Sequence, residues 1–561
     1  MSLQKKGTGQ AGSNLWQTIV PVALFVLVVA FYLPSMSNDF VYDDLTLIRD
    51  QAMPRSLVNT FRVFSERHWY NLPYYRPVCR LTMVVQKFIH GNEPRPYHLF
   101  NAVLIGVAAL LAYALLRFPA FNIPTLPAFF GGGLFAVHPI ASCTVYPICS
   151  GRETLIPAIF VIASVYAFLH SARVGYALGM AMFGLSLLSK EQAVVVPGLF
   201  VLADVLGISA GAPKRSVYRW VMRYTPIFLI LLVYFLIRWL VFSGTEAYRF
   251  ALFNNPSGPF LSLLYTLQTT LVPFVELVYE PKLDVWISAW RQLLVLGALI
   301  CIVVAVYRQW PAVRSKVLFW FGWFLLTLLP TSNLLVQEAR FAERYGFLAL
   351  IGLIGIVGVL VSMFWDRPST RRAITVAGIL LLFAFGAIAF NRNTYFKNHE
   401  VFMIQWLSTN PESFQAHVSI GEIFQREEKI DEAIHHYQEA IQLNPNYEDA
   451  HNNLGLAYYK KGMLNDSISE YKKALAINPD LTKAHYNLGL AYCKKDELDE
   501  AIAEYKKTLA LDPGFFDAHN NLGVTYYYKG NYKLAIIHLE KAAELGCKVD
   551  TRLLELLKTH R

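Results

Sequence analysis

The chain has 561 residues, of which 55% are hydrophobic and 16% are charged, and its mean hydropathy is +0.36. Soluble domains usually carry about 25% charged residues, so the composition excludes an ordinary soluble protein and indicates a membrane protein. The formal net charge is +10, but the basic residues stand in short loops between apolar runs. There they act as topology signals, and we expect no nucleic-acid partner. The six cysteines lack CxxC and metal-ligand spacings; a disulfide between Cys143 and Cys149 is the one pairing we consider.

Apolar stretches long enough to cross a bilayer as helices follow one another up to residue 391. The first extends from Leu15 to Pro34 and has no small-residue cleavage site after it, so we expect it to be retained. We interpret the apolar segment 259–278, which a proline and a glutamate interrupt, as re-entrant or interfacial. The sequence predicts an all-α chain that begins with a polytopic transmembrane domain of about eleven helices over residues 1–391. The ten further spans are expected near residues 97–117, 122–138, 154–171, 174–189, 192–208, 224–243, 288–307, 317–333, 344–365 and 373–391.

The short basic loops fix a predicted orientation, because loops rich in Lys and Arg stay on the cytoplasmic side. With eleven crossings all these loops and the N-terminus lie inside, whereas the long loop 35–96 and everything after residue 391 lie outside. The membrane is then either a bacterial inner membrane with the C-terminal part in the periplasm, which we favour, or the endoplasmic reticulum with that part in the lumen. The basic clusters are Lys214, Arg215, Arg219 and Arg223; Arg308, Arg314 and Lys316; and Arg367, Arg371 and Arg372.

The C-terminal part carries a repeat of constant length. Prolines recur every 34 residues, which is the tetratricopeptide period, and small and aromatic residues recur with them. We predict a connector over residues 392–412, four tetratricopeptide repeats over 413–548 and a capping helix over 549–561, which covers the last apolar face. The recurring residues are Pro411, Pro445, Pro479 and Pro513; Gly421, Gly455, Gly489 and Gly523; and Phe424, Tyr458, Tyr492 and Tyr526.

Two polar positions of the repeats stand out. Asn453, Asn487 and Asn521 share one position of the first helix, and a ladder of side-chain amides there would hold the backbone of an extended peptide. The alternative is that they are solvated residues near the turn between the helices. A histidine also replaces the tryptophan of the repeat consensus in every repeat, at His417, His451, His485 and His519.

An acidic pair, Asp43 and Asp44, follows the first apolar stretch in the segment FVYDD. Two adjacent carboxylates at a membrane surface repel each other, and one of them is suited to act as a general base that takes a proton from a hydroxyl. The alternative interpretation is a solvated loop start or a helix N-cap.

Further ionisable residues stand near the predicted outer ends of the helices. An ionisable residue at membrane depth is costly and suggests function, and together this set suits an anionic head group with a base beside it. The alternatives are snorkelling of Lys190 and Arg238 and local ion pairs between Arg152 and Glu153 or between Glu343 and Arg344. The set comprises Arg76, His138, Arg152, Glu153, Lys190, Glu191, Arg238, Arg344 and Tyr345.

The order of motifs resembles that of the transmembrane and tetratricopeptide-repeat O-mannosyltransferases, which share the GT-C fold. The segments FVYDD, YYRP, LFAVHPI, SGRE, LLSKE, LPTSN and AERY are followed by the repeats. The resemblance implies an inverting glycosyltransferase that moves mannose from a polyprenyl-phosphate lipid to Ser or Thr of a protein on the outer side of the membrane. The competing interpretation is a non-enzymatic membrane scaffold that recruits partners through the repeats.

The resemblance also implies roles for single residues. Asp43 becomes the base and Asp44 its acidic partner, while Arg344 and Tyr345 take the place of an Arg-Tyr pair near the donor phosphate. The remaining outer residues become head-group contacts. No cofactor or metal is required by this scheme, although the acidic pair could hold a divalent cation.

Overall fold

The computed structural model describes residues 8–41, 44–49, 75–170, 173–212, 216–242, 270, 285–329, 346–547 and 549. In these ranges the chain consists of helices, short helical turns and connecting loops, without a strand, so the prediction of an all-α protein is confirmed. Contacts between residues divide it into two units, Met1–Phe402 and Met403–Arg561.

The described part of the first unit is a bundle of mostly apolar helices. They are α1 (Thr8–Tyr32), α2 (Pro77–His90), α3 (Pro94–Leu116), α4 (Thr125–Val137), α5 (Pro139–Val145), α6 (Ile148–Leu169), α7 (Arg173–Ser189), α8 (Val196–Val205), α9 (Val217–Phe242), α10 (Val285–Gln309), α11 (Arg314–Leu328), α12 (Phe347–Ser362) and α13 (Pro368–Arg392). A 3-10 turn, Glu191–Val195, joins α7 to α8, and a π turn, Leu45–Arg49, follows α1.

Five described helices are long and apolar enough to cross a bilayer, namely α1, α3, α6, α9 and α13 with their flanking turns. Two bent pairs, α4 with α5 and α10 with α11, raise this number to seven if each is one span. Each predicted span overlaps one of the helices α1, α3, α4 and α6 to α13. A membrane protein with several apolar helices is thereby confirmed, the count of eleven stays a prediction, and segment 259–278 lies outside the described residues except at Thr270.

The bend between α4 and α5 follows from Pro139, which cannot donate a backbone hydrogen bond. The two helices meet at 57°. The Ile140 N–H, which would bond to Ala136 in a continuous helix, donates instead to Nδ1 of His138 (3.2 Å). The carbonyl of Ala136 accepts from the hydroxyl of Tyr32 (2.7 Å), and that of Pro139 accepts from Arg392 (2.9 Å). The Ala136 carbonyl, which the break leaves without the Ile140 N–H, is thus paired with a side chain of α1, as an apolar surrounding requires.

The segment that contains Cys143 and Cys149 is helical and buried, and the expected disulfide is wrong. Both thiols are free. Cys143 lies on α5 with its Sγ 3.9 Å from a guanidinium nitrogen of Arg392. Cys149 lies in the first turn of α6, and its N–H donates to Asp44. The two side chains therefore have different partners.

An ion pair connects the C-terminal ends of α6 and α8 with the N-terminal part of α9. Arg223 donates from Nε and Nη2 to the two oxygens of Asp204 (2.6 and 3.0 Å), and the Tyr224 hydroxyl donates to the same carboxylate (2.9 Å). The guanidinium also lies 4.3 Å from the ring centre of Phe168. Arg223, predicted as a topology signal, therefore also ties three helices together.

The second unit holds the helices of the repeats, arranged in antiparallel pairs. They are α15 (Phe414–Arg426) with α16 (Ile430–Leu443), α17 (Glu448–Lys461) with α18 (Leu464–Ile477), α19 (Thr482–Lys494) with α20 (Leu498–Leu511) and α21 (Phe516–Tyr528) with α22 (Tyr532–Glu544). The predicted solenoid of tetratricopeptide repeats is confirmed, while the predicted bounds of its units stay a prediction. The recurrence of glycine in each repeat has a steric reason. A Cβ at Gly455 would lie 2.7 Å from the ring of Tyr471, and one at Gly489 would lie 2.6 Å from the ring of Tyr505. These buried tyrosines of the second helices pack against the glycines, a partnership that the sequence analysis did not identify.

The segment predicted as a connector, 392–412, is largely helical. It contains the 3-10 turn Asn393–Phe396 and α14 (His399–Thr409). The predicted capping helix lies outside the described residues except for Val549, which packs against the core of the last repeats.

Candidate functional site

The predicted site residues fall into two groups. Asp43, Arg344 and Tyr345 lie outside the described residues, so their predicted roles stay predictions. The other predicted residues of the first unit are described, and most of them lie in short segments that meet where α2 and α6 begin and α7 ends.

Asp44 lies at the start of α6 and is fully buried. Its carboxylate accepts the N–H groups of Cys149 (2.7 Å), Ile148 (3.1 Å) and Val41 (3.3 Å). It therefore binds the positive N-terminal end of α6 although it follows α1 in the chain. Burial raises the pKa of Asp44, against the lowering effect of these N–H groups. Both oxygens of Asp44 accept hydrogen bonds, so Asp44 holds the acidic segment against the start of α6. This is the helix-capping role of the alternative interpretation, but the capped helix is remote in sequence, since Asp44 and Cys149 are 105 residues apart.

Arg76 binds two carboxylates from different segments, and we call Arg76, Glu153 and Glu191 the charged network. Its Nε and Nη2 donate to Glu191 (3.2 and 2.6 Å), and its Nη1 donates to Glu153. All three residues are buried. Burial alone would raise the pKa of Glu191, but the charge and hydrogen bonds of Arg76, together with nearby cations, lower it to about 2. The network joins the residue before α2, the second turn of α6 and the turn after α7.

Two more cations border the charged network. Lys190 is buried beside Glu191, and Arg238 of α9 acts electrostatically on the same carboxylate. Arg238 also donates to the Tyr234 hydroxyl at 3.2 Å. Three cations and two carboxylates thus lie close together in this part of the bundle.

Arg152 is fully buried but does not pair with Glu153, its neighbour in sequence. Its Nε donates to Asn101 (3.2 Å) and its Nη2 to Gln86, while its guanidinium lies 4.9 Å from the ring centre of Phe100. Adjacent residues of a helix point in different directions, so the local ion pair that we considered is wrong. Arg152 instead interacts electrostatically with Asp44.

His138 lies at the bend between α4 and α5 and is 3% exposed. Its Nδ1 accepts from Ile140, its ring packs edge-on against Phe385 at 5.1 Å, and its charged neighbour is Arg392. His138 therefore caps the N-terminus of α5 at the break between α4 and α5. A head-group contact through this ring stays a prediction.

The three asparagines of the repeats point along the array and link successive repeats. Asn453 donates to Glu422 (2.9 Å), Asn487 to Asn452 (3.0 Å) and Asn521 to the Tyr486 hydroxyl (3.0 Å). A second amide hydrogen of each side chain stays available to a ligand, so the amide ladder stays a prediction. The hydrogen bonds between successive repeats would fix the relative positions of the three asparagine side chains in such a ladder.

Several residues of this region were missed because nothing local marks them. Cys79 donates its thiol to the carbonyl of Ser189 (3.4 Å) and so holds α2 against the end of α7. Gln86 and Asn101 bind Arg152. Among the described residues, no three His, Cys, Asp or Glu side chains gather in a way that would hold a metal ion. A divalent cation at the acidic pair stays a prediction.

The fold and the site define the class: a polytopic helical membrane protein with a buried charged network in its bundle and a tetratricopeptide solenoid at its C-terminal end. The chain matches the tetratricopeptide-repeat family over residues 421–462, 457–496, 489–530 and 516–546.

Over most of its length the chain is a homologue of proteins named protein O-mannosyl-transferases. It is 24% identical to one of Caenorhabditis elegans over 472 residues, which covers 79% of this chain and 64% of that protein. It is 21% identical to Tmtc3 of Drosophila melanogaster, covering 75% of this chain and 55% of that protein, and 22% identical to TMTC1 of Homo sapiens, covering 73% and 53%. The chain thus spans less than two thirds of these relatives' own lengths, and the resemblance expected from its motifs is confirmed.

Among solved structures, the chain is similar to MamA, with 26% identity, 28% of this chain and 88% of that chain covered and a TM-score of 0.24. It is also similar to YrrB, a TPR protein described as having an unusual peptide-binding site, with 23% identity, 36% and 97% coverage and a TM-score of 0.25.

Proposed function

We propose that this protein is a membrane glycosyltransferase that moves a sugar, mannose by its relatives' names, from a polyprenyl-phosphate lipid to Ser or Thr of a protein acceptor. The transfer takes place on the outer side of the membrane, and the repeats hold the acceptor chain. The membrane is a bacterial inner membrane with the repeats in the periplasm, or the endoplasmic reticulum with the repeats in the lumen.

The charged network carries this proposal. Burying Arg76, Glu153 and Glu191 in a bundle of helices costs desolvation free energy, and a protein that only anchors a domain to the membrane does not need such buried charges. Lys190 and Arg238 beside the network are further cations that could bind a lipid phosphate.

The proposed chemistry divides the acidic pair. Asp44 has both oxygens bonded to backbone N–H groups, so the base is assigned to Asp43. Asp43 takes the proton of the acceptor hydroxyl as its oxygen forms a bond to the anomeric carbon. The bond from that carbon to the phosphate oxygen breaks on the opposite face, the phosphate leaves with the electron pair, and the anomeric centre inverts. Cations, with Arg344 proposed among them, stabilise the charge on the departing phosphate.

The repeats support a protein acceptor rather than a lipid or glycan. A ladder at Asn453, Asn487 and Asn521 would bond to a peptide backbone without reading its side chains. Transfer to many Ser and Thr positions of one extended chain would follow from such a grip.

The test uses the full chain in detergent with two radiolabelled donors, undecaprenyl-phosphate mannose and dolichyl-phosphate mannose, and a Ser/Thr-rich peptide. We expect label on the peptide, loss of transfer in Asp43→Asn and in Arg76→Gln, and wild-type transfer in Arg95→Gln, which removes an exposed arginine at the start of α3. A wild-type chain that neither binds nor cleaves either donor would establish the scaffold instead.

A further inference from the structure

The histidine that replaces tryptophan in each repeat makes the same backbone contact four times. Its Nε2 lies 3.0 to 3.3 Å from the carbonyl of the proline six residues earlier. A carbonyl only accepts, so Nε2 carries the proton in each case. The other ring nitrogen, Nδ1, faces a side chain 19 residues later, on the second helix of the same repeat. The chemistry of that partner decides the charge of the ring.

In the second and third repeats the partner is a carboxylate. Nδ1 of His451 lies 2.7 Å from Glu470, and Nδ1 of His485 lies 2.5 Å from Glu504. Both ring nitrogens face acceptors, so a ring that is protonated on both nitrogens satisfies every bond. Lys473 also donates to Glu470 (2.6 Å). These two repeats thus pair a histidine with a carboxylate.

In the first and fourth repeats the partner is a second imidazole. Nδ1 of His417 lies 3.0 Å from Nδ1 of His436, and Nδ1 of His519 lies 3.1 Å from Nδ1 of His538. One Nδ1 must donate and the other must accept, so the bond persists only while at least one ring of the pair is neutral. Protonation of both rings would set two N–H groups against each other at this distance and break the bond between the helices.

We propose that these two histidine pairs, His417 with His436 and His519 with His538, make the ends of the array acid-sensitive, so that acid loosens the first and fourth repeats while the middle repeats hold. The helices of the first and fourth repeats would then separate as the pH falls. This inference stands on the second unit alone and does not depend on the proposed function.

The surroundings of the two pairs disfavour a positive charge on His436 and His538. Burial lowers the pKa of His436 to about 4, and His417, with His435 of the same helix, adds to the shift, while Glu439 opposes it. Burial likewise lowers the pKa of His538 to about 4, with His519 of α21 and Lys506 of α20 adding to it. A histidine with a lowered pKa stabilises the fold fully above its unfolded pKa of about 6.5, and that stability is lost as the pH falls toward 4. The carboxylate of Glu470, whose pKa is also lowered against the effect of burial, loses its contribution only at lower pH.

The experiment is hydrogen exchange by mass spectrometry on the full chain in detergent, at about pH 7.5 and about pH 5, with exchange corrected for the intrinsic rate. We expect protection of α15, α16, α21 and α22 to fall at least roughly tenfold at the lower pH, while α17 to α20 keep theirs.

The chain supplies its own controls, since glutamate already occupies the partner position in two repeats. His436→Glu should make the first repeat acid-resistant and leave the fourth unchanged, and Glu470→His should transfer the acid-sensitivity to the second repeat. Equal protection of all four repeats at about pH 5 overturns the inference. So does an acid-sensitive first repeat in His436→Glu, because fraying of the array's end would then explain the loss.

Discussion

Arg76 and Glu191 stand 115 residues apart in the sequence and form a two-pronged ion pair, with Nε 3.2 Å and Nη2 2.6 Å from the two carboxylate oxygens. The third nitrogen of the same guanidinium binds Glu153. The planar guanidinium, with its fork of donors, suits this arrangement, in which one side chain joins three segments of the bundle. The pair therefore serves both the stability of the fold and the charge balance of the proposed site.

Removing the guanidinium should destabilise the bundle. Arg76→Gln leaves two buried carboxylates without their cation, at an expected cost of about 3–5 kcal/mol, and Arg76→Lys should recover only part of it because a lysine lacks the fork. Thermal unfolding in detergent measures the loss, with Arg95→Gln as the exposed control. Because the pKa of Glu191 is lowered to about 2, this stabilisation is present above the unfolded pKa of about 4.3 and disappears as the pH falls toward 2. The gap between variant and wild type should thus narrow in acid; a constant gap would contradict the ion-pair assignment.

The two acidic residues after α1 should separate in their effects. Asp44→Asn replaces one accepting oxygen by a donor that faces the N–H groups at the start of α6, so we expect a loss of about 1–3 kcal/mol in stability. Asp43→Asn should leave the thermal midpoint unchanged and abolish sugar transfer. Both are measured on the same preparations by thermal unfolding and by the transfer assay. The reverse pattern, with Asp44→Asn stable and inactive, would return the role of base to Asp44.

The ion pair between Asp204 and Arg223 should be structural. Asp204→Asn removes the charge that Arg223 and the Tyr224 hydroxyl share, and we expect about 3–5 kcal/mol of destabilisation with transfer intact in the molecules that stay folded. Arg219→Gln, one turn earlier on α9 and exposed, is the matched control and should change stability by less than about 0.5 kcal/mol. Unchanged melting of Asp204→Asn would show that the pair adds nothing to the fold.

The amide ladder is tested by acceptor length. Alanine at Asn453, Asn487 and Asn521 together should raise the KM for a long acceptor peptide and leave the kcat for a short one unchanged, because the ladder binds the chain away from the reacting hydroxyl. Asn446→Ala, at an exposed turn position, serves as control. Equal KM values for the long peptide in the triple variant and the wild type would assign these asparagines to the bonds between repeats alone.

The site shows where prediction from sequence ends. The motifs placed Arg76, Glu153, Lys190 and Glu191 among the residues of interest because charges are rare in apolar sequence. Which of them pair was not predictable. Arg152 and Glu153 are adjacent in sequence and were considered as an ion pair, but successive residues of a helix face different ways. Arg152 binds Asn101 of α3, and Glu153 binds Arg76, which directly precedes α2. The three residues expected at the centre of the chemistry, Asp43, Arg344 and Tyr345, lie outside the described residues and stay predictions.

The sequence by itself determined what depends on local periodicity: the apolar spans, the 34-residue repeat and the positions of its glycines and prolines. These follow from hydrophobic burial and backbone geometry, which act at fixed spacing along a chain. Only the tertiary structure decided that Asp44 binds the start of a helix 105 residues away, that Arg76 joins two glutamates, and that a repeat's histidine faces a carboxylate in the middle of the array and another histidine at its ends. Such pairings depend on how helices pack, and packing sets distances that the order of residues does not contain.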